Sequence, residues 1–510
     1  MPFIMIREPT IERRPLPIGI QTFSILREEG CYYVDKTPLI RELIRSGRHY
    51  FLSRPRRFGK SLLVDTLQEL FEGNEPLFRG LDIHEHWDWT VRHPVVRLSF
   101  DSSYGDLEHL EDNVLHQLHN IEEDFNLESL PPVRTGPERL QNILRRLHRT
   151  TGQRVVVLVD EYDKPVLDVL ENPEMARANR DCLKGIYSMI KGSGQYIRLV
   201  FVTGITMFSK ASFSSGLNNL TDISLSPRYA AICGYTDRDL DTVFAPELGE
   251  LGRDEIRRWY NGYHWLGEER LYNPHDILHL FSEREFREYW FESGEPGYLY
   301  RLMKERRVSP VQLENCEVDA ALVSKFEPDM FSSEALLFQS GYLTIRERER
   351  RGTRTVYRLD YPNFEVRSSF NLGLAEHLTG RGQAVAAAGE GFVEALGNAD
   401  FPAFRTWCCC TGAGCSFLNS RWRRTSPGRK RVWTARLHRF GKGAMRRSTG
   451  TAGSRSTWSA WCLGERNATC WRSVLRHSDL RLISNLIKSA GELKLAQRCK
   501  SERMKNQDTC

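Results

Sequence analysis

No run of 18 apolar residues occurs anywhere in the 510-residue chain, which excludes a helix able to span a bilayer. The opening MPFIMIREPTIERRPLPIG has neither a long apolar stretch nor a small-residue cleavage site. Secretion is therefore not expected, and the expected compartment is the cytoplasm. What the last fifth lacks is acid. Residues 407–510 carry 22 Lys+Arg against 5 Asp+Glu, whereas residues 1–406 carry 50 against 61. The overall charge of +6 thus hides a first part at −11 and a tail at +17. Cysteine and tryptophan divide the same way, with eight of 12 cysteines and six of 11 tryptophans in the tail. A single globular composition does not change so abruptly.

What is present reads as soluble and globular, with 40% apolar and 27% charged residues and a length that suits two to four domains. Apolar runs bounded by polar punctuation predict strands at 46–53, 93–101, 154–163 and 196–204. Helical spacing predicts helices from Ser61 to Gly73, over 106–125, after Pro137 and around 175–190. Strands that are apolar throughout and alternate with helices imply an α/β fold, a parallel sheet covered on both faces. Beyond residue 236 the pattern becomes mainly helical, with aromatic clusters. GYLTI (341–345) and VYRLDYP (356–362) read as a β-hairpin joined by the charged RERERRGTRT. From Cys408 to about residue 473 no period of 2 or 3.6 is present, and nothing there predicts a packed element.

The chemistry begins in FLSRPRRFGKSLL (51–63). Gly59-Lys60-Ser61 follows a strand and opens a helix, as a phosphate-binding loop requires. In such a loop backbone N–H groups at the helix N-terminus cradle phosphate, here over Arg57, Phe58, Gly59, Lys60, Ser61 and Leu62. Lys60 would reach the β- and γ-phosphates and Ser61 would ligate Mg²⁺. One glycine is missing, because Arg54 stands where the loop consensus puts its first one. A basic strand-to-helix turn is the competing reading. The pair Asp160-Glu161, ending the apolar strand VVVLVD, tips the balance, because ligands bind at the carboxyl edge of a parallel sheet. There Asp160 could hold Mg²⁺ through water and Glu161 could polarise the attacking water; a helix cap is the plainer alternative. Thr203, ending the next strand, could touch that water or the γ-phosphate. Tyr33, Asp35 and Lys36 could approach a base or simply pack, Asp163 could cap a helix, and Arg228 could sense the γ-phosphate or form an ion pair.

Taken together, LPIGIQTFSILREEGCYYVDKTPLI, FLSRPRRFGKSLL, LVDEYDKP, WYNGYHW, YNPHDIL, YWFESG and LDYPNFEVRSSF resemble the predicted AAA-ATPase-like family of microbial proteins over roughly residues 16–376. The resemblance implies that RPRRFGKS is the family's normal phosphate loop. It also implies a P-loop ATPase that uses ATP and Mg²⁺, with Lys60 and Glu161 catalytic and Ser61 and Asp160 at the metal. Met207 departs from it, standing where a basic residue is expected in TGITMFSK. The family usually ends in a PD-(D/E)XK nuclease-like domain, whose carboxylates hold Mg²⁺. Glu492-Leu493-Lys494 with Asp479 upstream is the one match to that pattern, within an amphipathic helical stretch.

The expected organisation is an N-terminal extension (1–15), a P-loop core (16–235), a mainly helical domain with a hairpin (236–380), the start of a truncated region (381–406) and a basic Cys/Trp-rich tail (407–510). That tail reads as translation out of frame; a zinc cluster or a nucleic-acid-binding segment are its alternatives, though adjacent cysteines space ligands poorly. Three readings stay open: an ATPase, a slow nucleotide-gated regulatory module, and an ATPase linked to a damaged nuclease. No membrane partner is expected. Nucleic acid is a possible partner, and the oligomeric state is not legible.

Overall fold

A computed structural model describes residues 13–127, 135–207, 219–294, 297–306, 308, 313–323 and 332–379. The expected N-terminal extension up to residue 12, the truncated region 381–406, the tail and the Asp479/Glu492-Leu493-Lys494 pattern lie outside the described residues. The chain divides into two compact units, residues 1–370 and 371–510.

Five strands form the principal sheet: β1 His49–Ser53, β2 Val95–Ser99, β3 Val155–Asp160, β4 Ile197–Gly204 and β5 Thr221–Asp222. Their lateral order is β2-β3-β4-β1-β5, and every pairing is parallel. β3 is buried at all its positions, which is why its sequence is apolar without alternation. Register pairs Leu52 with Thr203 and Ser99 with Asp160, so the ends of β1, β3 and β4 share one edge. That is the carboxyl edge, where open α/β sheets bind ligands.

Seven helices surround the sheet: α1 Phe23–Glu28, α2 Thr37–Ser46, α3 Lys60–Glu72, α4 Leu107–Asp124, α5 Gly136–Thr151, α6 Lys164–Leu167 and α7 Pro173–Gly192. The crossover from β1 to β2 runs one way across the sheet, and those from β2 to β3 and β3 to β4 run back. Right-handed crossovers therefore put α3 on one face and α4, α5 and α7 on the other. Indeed α3 packs on β2, β3, β4 and α1, while α4, α5 and α7 pack on one another. In α5 the buried residues are Leu140, Ile143, Leu144 and Leu147, one stripe on an otherwise polar helix. Each such side chain is worth about 1.5–3 kcal/mol when buried, so this stripe outweighs propensity in holding the helix. Asp106 caps α4 by accepting from the His109 N–H at 2.9 Å. Gly73, at φ +79°, ends α3, as its sequence position predicts.

After β5 come helices and two small antiparallel sheets. The expected hairpin is present but longer than the sequence suggests. Its strands are Thr344–Arg351 and Arg354–Asp360, so RERERR belongs to the first strand and is not a loop. Only Gly352 and Thr353 turn the chain; Gly352 has φ +63°, which suits the first central position of a II′ turn. The charged residues remain extended because they pair: Arg351 bridges Glu317 and Glu349, and Arg358 pairs with Glu347 at 2.7 Å.

The other small sheet pairs Asn261–Tyr263 with Leu271–Tyr272. Part of WYNGYHW is therefore strand. Gly262 has φ +138°, and a Cβ there would lie 1.9 Å from the Pro362 carbonyl oxygen. No side chain fits without backbone displacement. Gly262→Ala should cost roughly 2–4 kcal/mol, combining backbone strain with overpacking. Urea unfolding should show a lower midpoint at unchanged slope.

Candidate functional site

The loop between β1 and α3 is held from outside the principal sheet. At its start, Arg54 is fully buried. Its N–H donates to the Gly204 carbonyl at 3.1 Å. Its guanidinium donates to the carbonyls of Ser53 (2.8 Å), Ser224 (2.9 Å), Tyr229 (3.4 Å) and Ala230 (3.1 Å). The same group lies over the Trp265 ring, 4.2 Å from its centroid. Burial lowers its pKa to about 10, which leaves it charged at neutral pH. Among the ion pairs of the described residues none involves Arg54, so carbonyl dipoles and an aromatic face carry its charge. The missing glycine of the loop consensus is thus explained: Arg54 ties the loop's root to residues 224–230 and Trp265, and contributes nothing to the cavity lining.

Two further anchors follow. The Arg56 carbonyl accepts from Asn273 Nδ2 at 3.4 Å and from Trp290 Nε1 at 3.2 Å. Phe58 is buried edge-on against Tyr263 (4.8 Å) and Trp265 (5.1 Å). Arg57 and Gly59 between and beyond them take left-handed backbone, φ +66° and +86°. The motifs WYNGYHW, YNPHDIL and YWFESG converge on this loop, and the aromatics Trp259, Tyr260, Tyr263 and Trp265 of the first are buried core.

Pinned this way, the loop and the N-terminus of α3 open into a cavity of about 550 Å³. Arg57, Phe58, Gly59, Lys60, Ser61 and Leu62 all line it. Lys60 is 5% exposed, and its Nζ donates to the Pro55 carbonyl at 3.1 Å. Glu161 lines the same cavity. It holds φ +52°, a conformation that costs a non-glycine residue about 1–3 kcal/mol unless its surroundings enforce it. They do. Asp160 accepts from the Glu161 N–H at 3.1 Å, and the Tyr162 N–H donates to the Thr203 carbonyl at 3.0 Å. Burial raises the Glu161 pKa, and the nearby Lys60 charge opposes that shift. Asp160 and Thr203 are buried behind this wall, at 2% and 0% exposure, and do not line the cavity. The Thr203 hydroxyl has no hydrogen-bond partner.

Asp163 does not cap α6. Its carboxylate accepts from the Ile205 N–H (3.1 Å) and from the Thr206 N–H (2.5 Å) and hydroxyl (2.6 Å), because the turn after β4 offers three donors where the short helix offers none. Arg228 pairs with Glu42 on α2, which selects the ion-pair alternative. Tyr33 and Lys36 reach the cavity wall; Asp35 instead accepts from the N–H groups of Thr37 and Asp82. Met207 is buried, its N–H donating to Gln339 Oε1 at 3.1 Å.

Sequence reasoning missed Asp101, Lys164, Asp168, Tyr235 and His275 in the lining. Asp101 could have been found, since it follows an apolar strand just as Asp160 does. His275 could not, because the turn that brings its helix to the loop leaves no local pattern. Ser61 and Glu161, with Asp160 buried behind the lining, carry the hard oxygen donors that Mg²⁺ prefers, and a magnesium shared with phosphates needs only one or two protein ligands. Among the described residues no group of three or more His, Cys, Asp or Glu is arranged to hold a metal. No helix of the described residues is long and apolar enough to cross a membrane.

Arg54→Ala should destabilise the protein by about 3–5 kcal/mol, the cost of stripping one partner from a buried charged network. Arg54→Lys should restore little of it, because an ammonium cannot fork to four carbonyls. Denaturant midpoints of the three proteins check this.

The model of a family described as "Predicted AAA-ATPase" matches residues 17–214. A protein of Azotobacter chroococcum mcd 1, described as an uncharacterized protein in the vnfD 5′ region, is 51% identical over 399 residues, covering 78% of this chain and 77% of that one. Both matches meet a chain whose parallel sheet carries the glycine–lysine–serine loop and the acidic strand end on one edge. The protein belongs to the predicted AAA-ATPase-like family.

Proposed function

We propose that the cavity binds ATP with Mg²⁺ and that the protein hydrolyses it. The observation that carries this reading is that one cavity is lined both by Lys60 and Ser61 at the N-terminus of α3 and by Glu161 after β3, with the Lys60 charge acting on Glu161. Backbone N–H groups from Gly59 to Leu62, with the helix dipole, favour the triphosphate's charge. The Lys60 ammonium would leave the Pro55 carbonyl for the β- and γ-phosphates. Magnesium, held by Ser61 and through water by Asp160, would neutralise charge between those phosphates. Glu161 would accept a hydrogen bond from a water in line with the γ-phosphorus and take its proton as the bond to phosphorus forms and the bond to the bridging oxygen breaks. The Thr203 hydroxyl, buried and unpartnered, is a group that could steady Asp160 or that water. Free thiols at Cys31, Cys182, Cys233 and Cys316 and the need for ATP both suit the cytoplasm. Contact with nucleic acid through the +17 tail would be of the salt-sensitive, counterion-releasing kind.

A slow, nucleotide-gated regulatory module differs from an ATPase only in rate. Lys60→Ala should lower MgATP affinity at least about tenfold, since a charge-assisted contact is worth about 1.5–3 kcal/mol. Calorimetry reading equal affinity for both proteins would remove the site assignment. Glu161→Gln should retain ATP binding and slow steady-state phosphate release at least about tenfold, the lower side of what general bases contribute. Turnover at the parental rate would mean that Glu161 is only part of the turn.

A further inference from the structure

Behind the loop, Asp276 and Glu365 are both buried at 0% exposure. Among the ion pairs of the described residues neither has a cation. Glu365 Oε1 accepts from the N–H groups of Trp290 (2.9 Å) and Phe291 (3.3 Å). Its Oε2 and both Asp276 oxygens lack a donor at good hydrogen-bond geometry, although the Trp290 N–H also influences Asp276, and the two carboxyls are close enough to act on each other's ionisation. Two fully buried carboxylates without a cation would carry a heavy desolvation penalty; a proton held by the pair relieves it and gives one carboxyl an O–H to donate. The pair stands next to both groups that hold the Arg56 carbonyl. Trp290 donates its backbone N–H to Glu365 and its indole N–H to the loop. Asn273 caps the helix Pro274–Glu283, which carries Asp276.

We propose that Asp276 and Glu365 keep a shared proton at neutral pH and act as a positioning pair, seating the phosphate loop through Trp290 and Asn273 and releasing it when that proton is lost. This rests on the reading of the cavity as an ATP site and adds to it a proton-linked control. Desolvation drives both carboxyls well above the usual carboxylate range; Asp276 raises Glu365 further, whereas Glu365 and the Trp290 N–H hold Asp276 back, so the proton belongs to the pair. The seat is present below the raised value and is lost as pH climbs through it. An unfolded chain would surrender the same proton near pH 4.

The groups that face the pair do not titrate across that interval. The phenols of Tyr260 and Tyr263 are pushed up by burial. His275 and His279, on the Asp276 helix, are pushed down and stay neutral. Burial likewise raises Tyr289, beside Trp290, to about 12, and Tyr342 beyond it. Arg258 lies over the Phe364 ring, 4.8 Å from its centroid.

The test compares parental protein with Glu365→Gln, which keeps an acceptor for Trp290 and cannot ionise, and with Asp276→Asn as a second isostere. MgATP affinity is measured from pH 7 to 9.5, above the range in which ATP itself takes up protons. The parental protein should lose at least about threefold in affinity over the interval, and the two amides should stay level. Trypsin cleavage after Arg56 and Arg57 in nucleotide-free protein reads the seat separately. It should accelerate with pH in the parental protein relative to Glu365→Gln. Affinity and cleavage that follow the same pH course in all three proteins would overturn the proposal. If ATP fails to bind at every pH while cleavage still distinguishes the proteins, the shared proton and the seat stand and the ATP reading falls.

Discussion

A guanidinium buried without a carboxylate is the constraint on which the rest of the site depends. Arg54 makes four bonds to backbone carbonyls and lies over Trp265. A buried charge left unpaired costs several kcal/mol. Residues 224–230 and 265 must therefore close around it for the fold to be stable. By closing, they fix where β1 ends and where the loop begins its turn. Ordinary phosphate loops use a glycine at this point for backbone freedom. This one uses a side chain for backbone constraint, and left-handed turns at Arg57 and Gly59 supply the bend.

The same economy runs through the wall at Glu161. The strained Glu161 backbone is enforced by Asp160, which accepts from its N–H, and by Tyr162 and Asp163, which are tied to β4 or the turn after it. With β4 lying between β1 and β3, a single strand aligns the loop and the acidic end. Thr203 lies on that strand with its hydroxyl unspent. Helices α4, α5 and α7 add burial on one face and contribute no residue to the cavity lining.

Much of this architecture was legible before any coordinates. The apolar strands β1 to β4 and helices α3, α4, α5 and α7 announce themselves because a covered parallel sheet demands uninterrupted apolar runs and its helices a single stripe; the short α6 does not. The loop and Asp160-Glu161 were legible because each follows such a run. The hairpin's charged arm was not, since Arg–Glu pairing between neighbouring strands replaces the apolar alternation that marks a strand. Asp163, placed where caps usually stand, was captured by three donors 42 or 43 residues away. Nor could the sequence reveal that Trp265, Asn273 and Trp290 serve a loop more than 200 positions earlier, because nothing local encodes such a long-range contact.

That long reach has a consequence for how the protein is made. The phosphate loop leaves the ribosome with residues 54–61, yet its supports follow at Ser224, Tyr263, Asn273, Trp290 and Glu365. At about 5–20 residues per second, the roughly 300 residues from Lys60 to Glu365 take about 15–60 s to synthesise. Until residues 224–230 emerge Arg54 has only the Ser53 carbonyl to hold, and until Glu365 follows the loop's seat is incomplete. Competence for nucleotide therefore arrives late in translation and all at once, so an interrupted chain carries the loop sequence without the site.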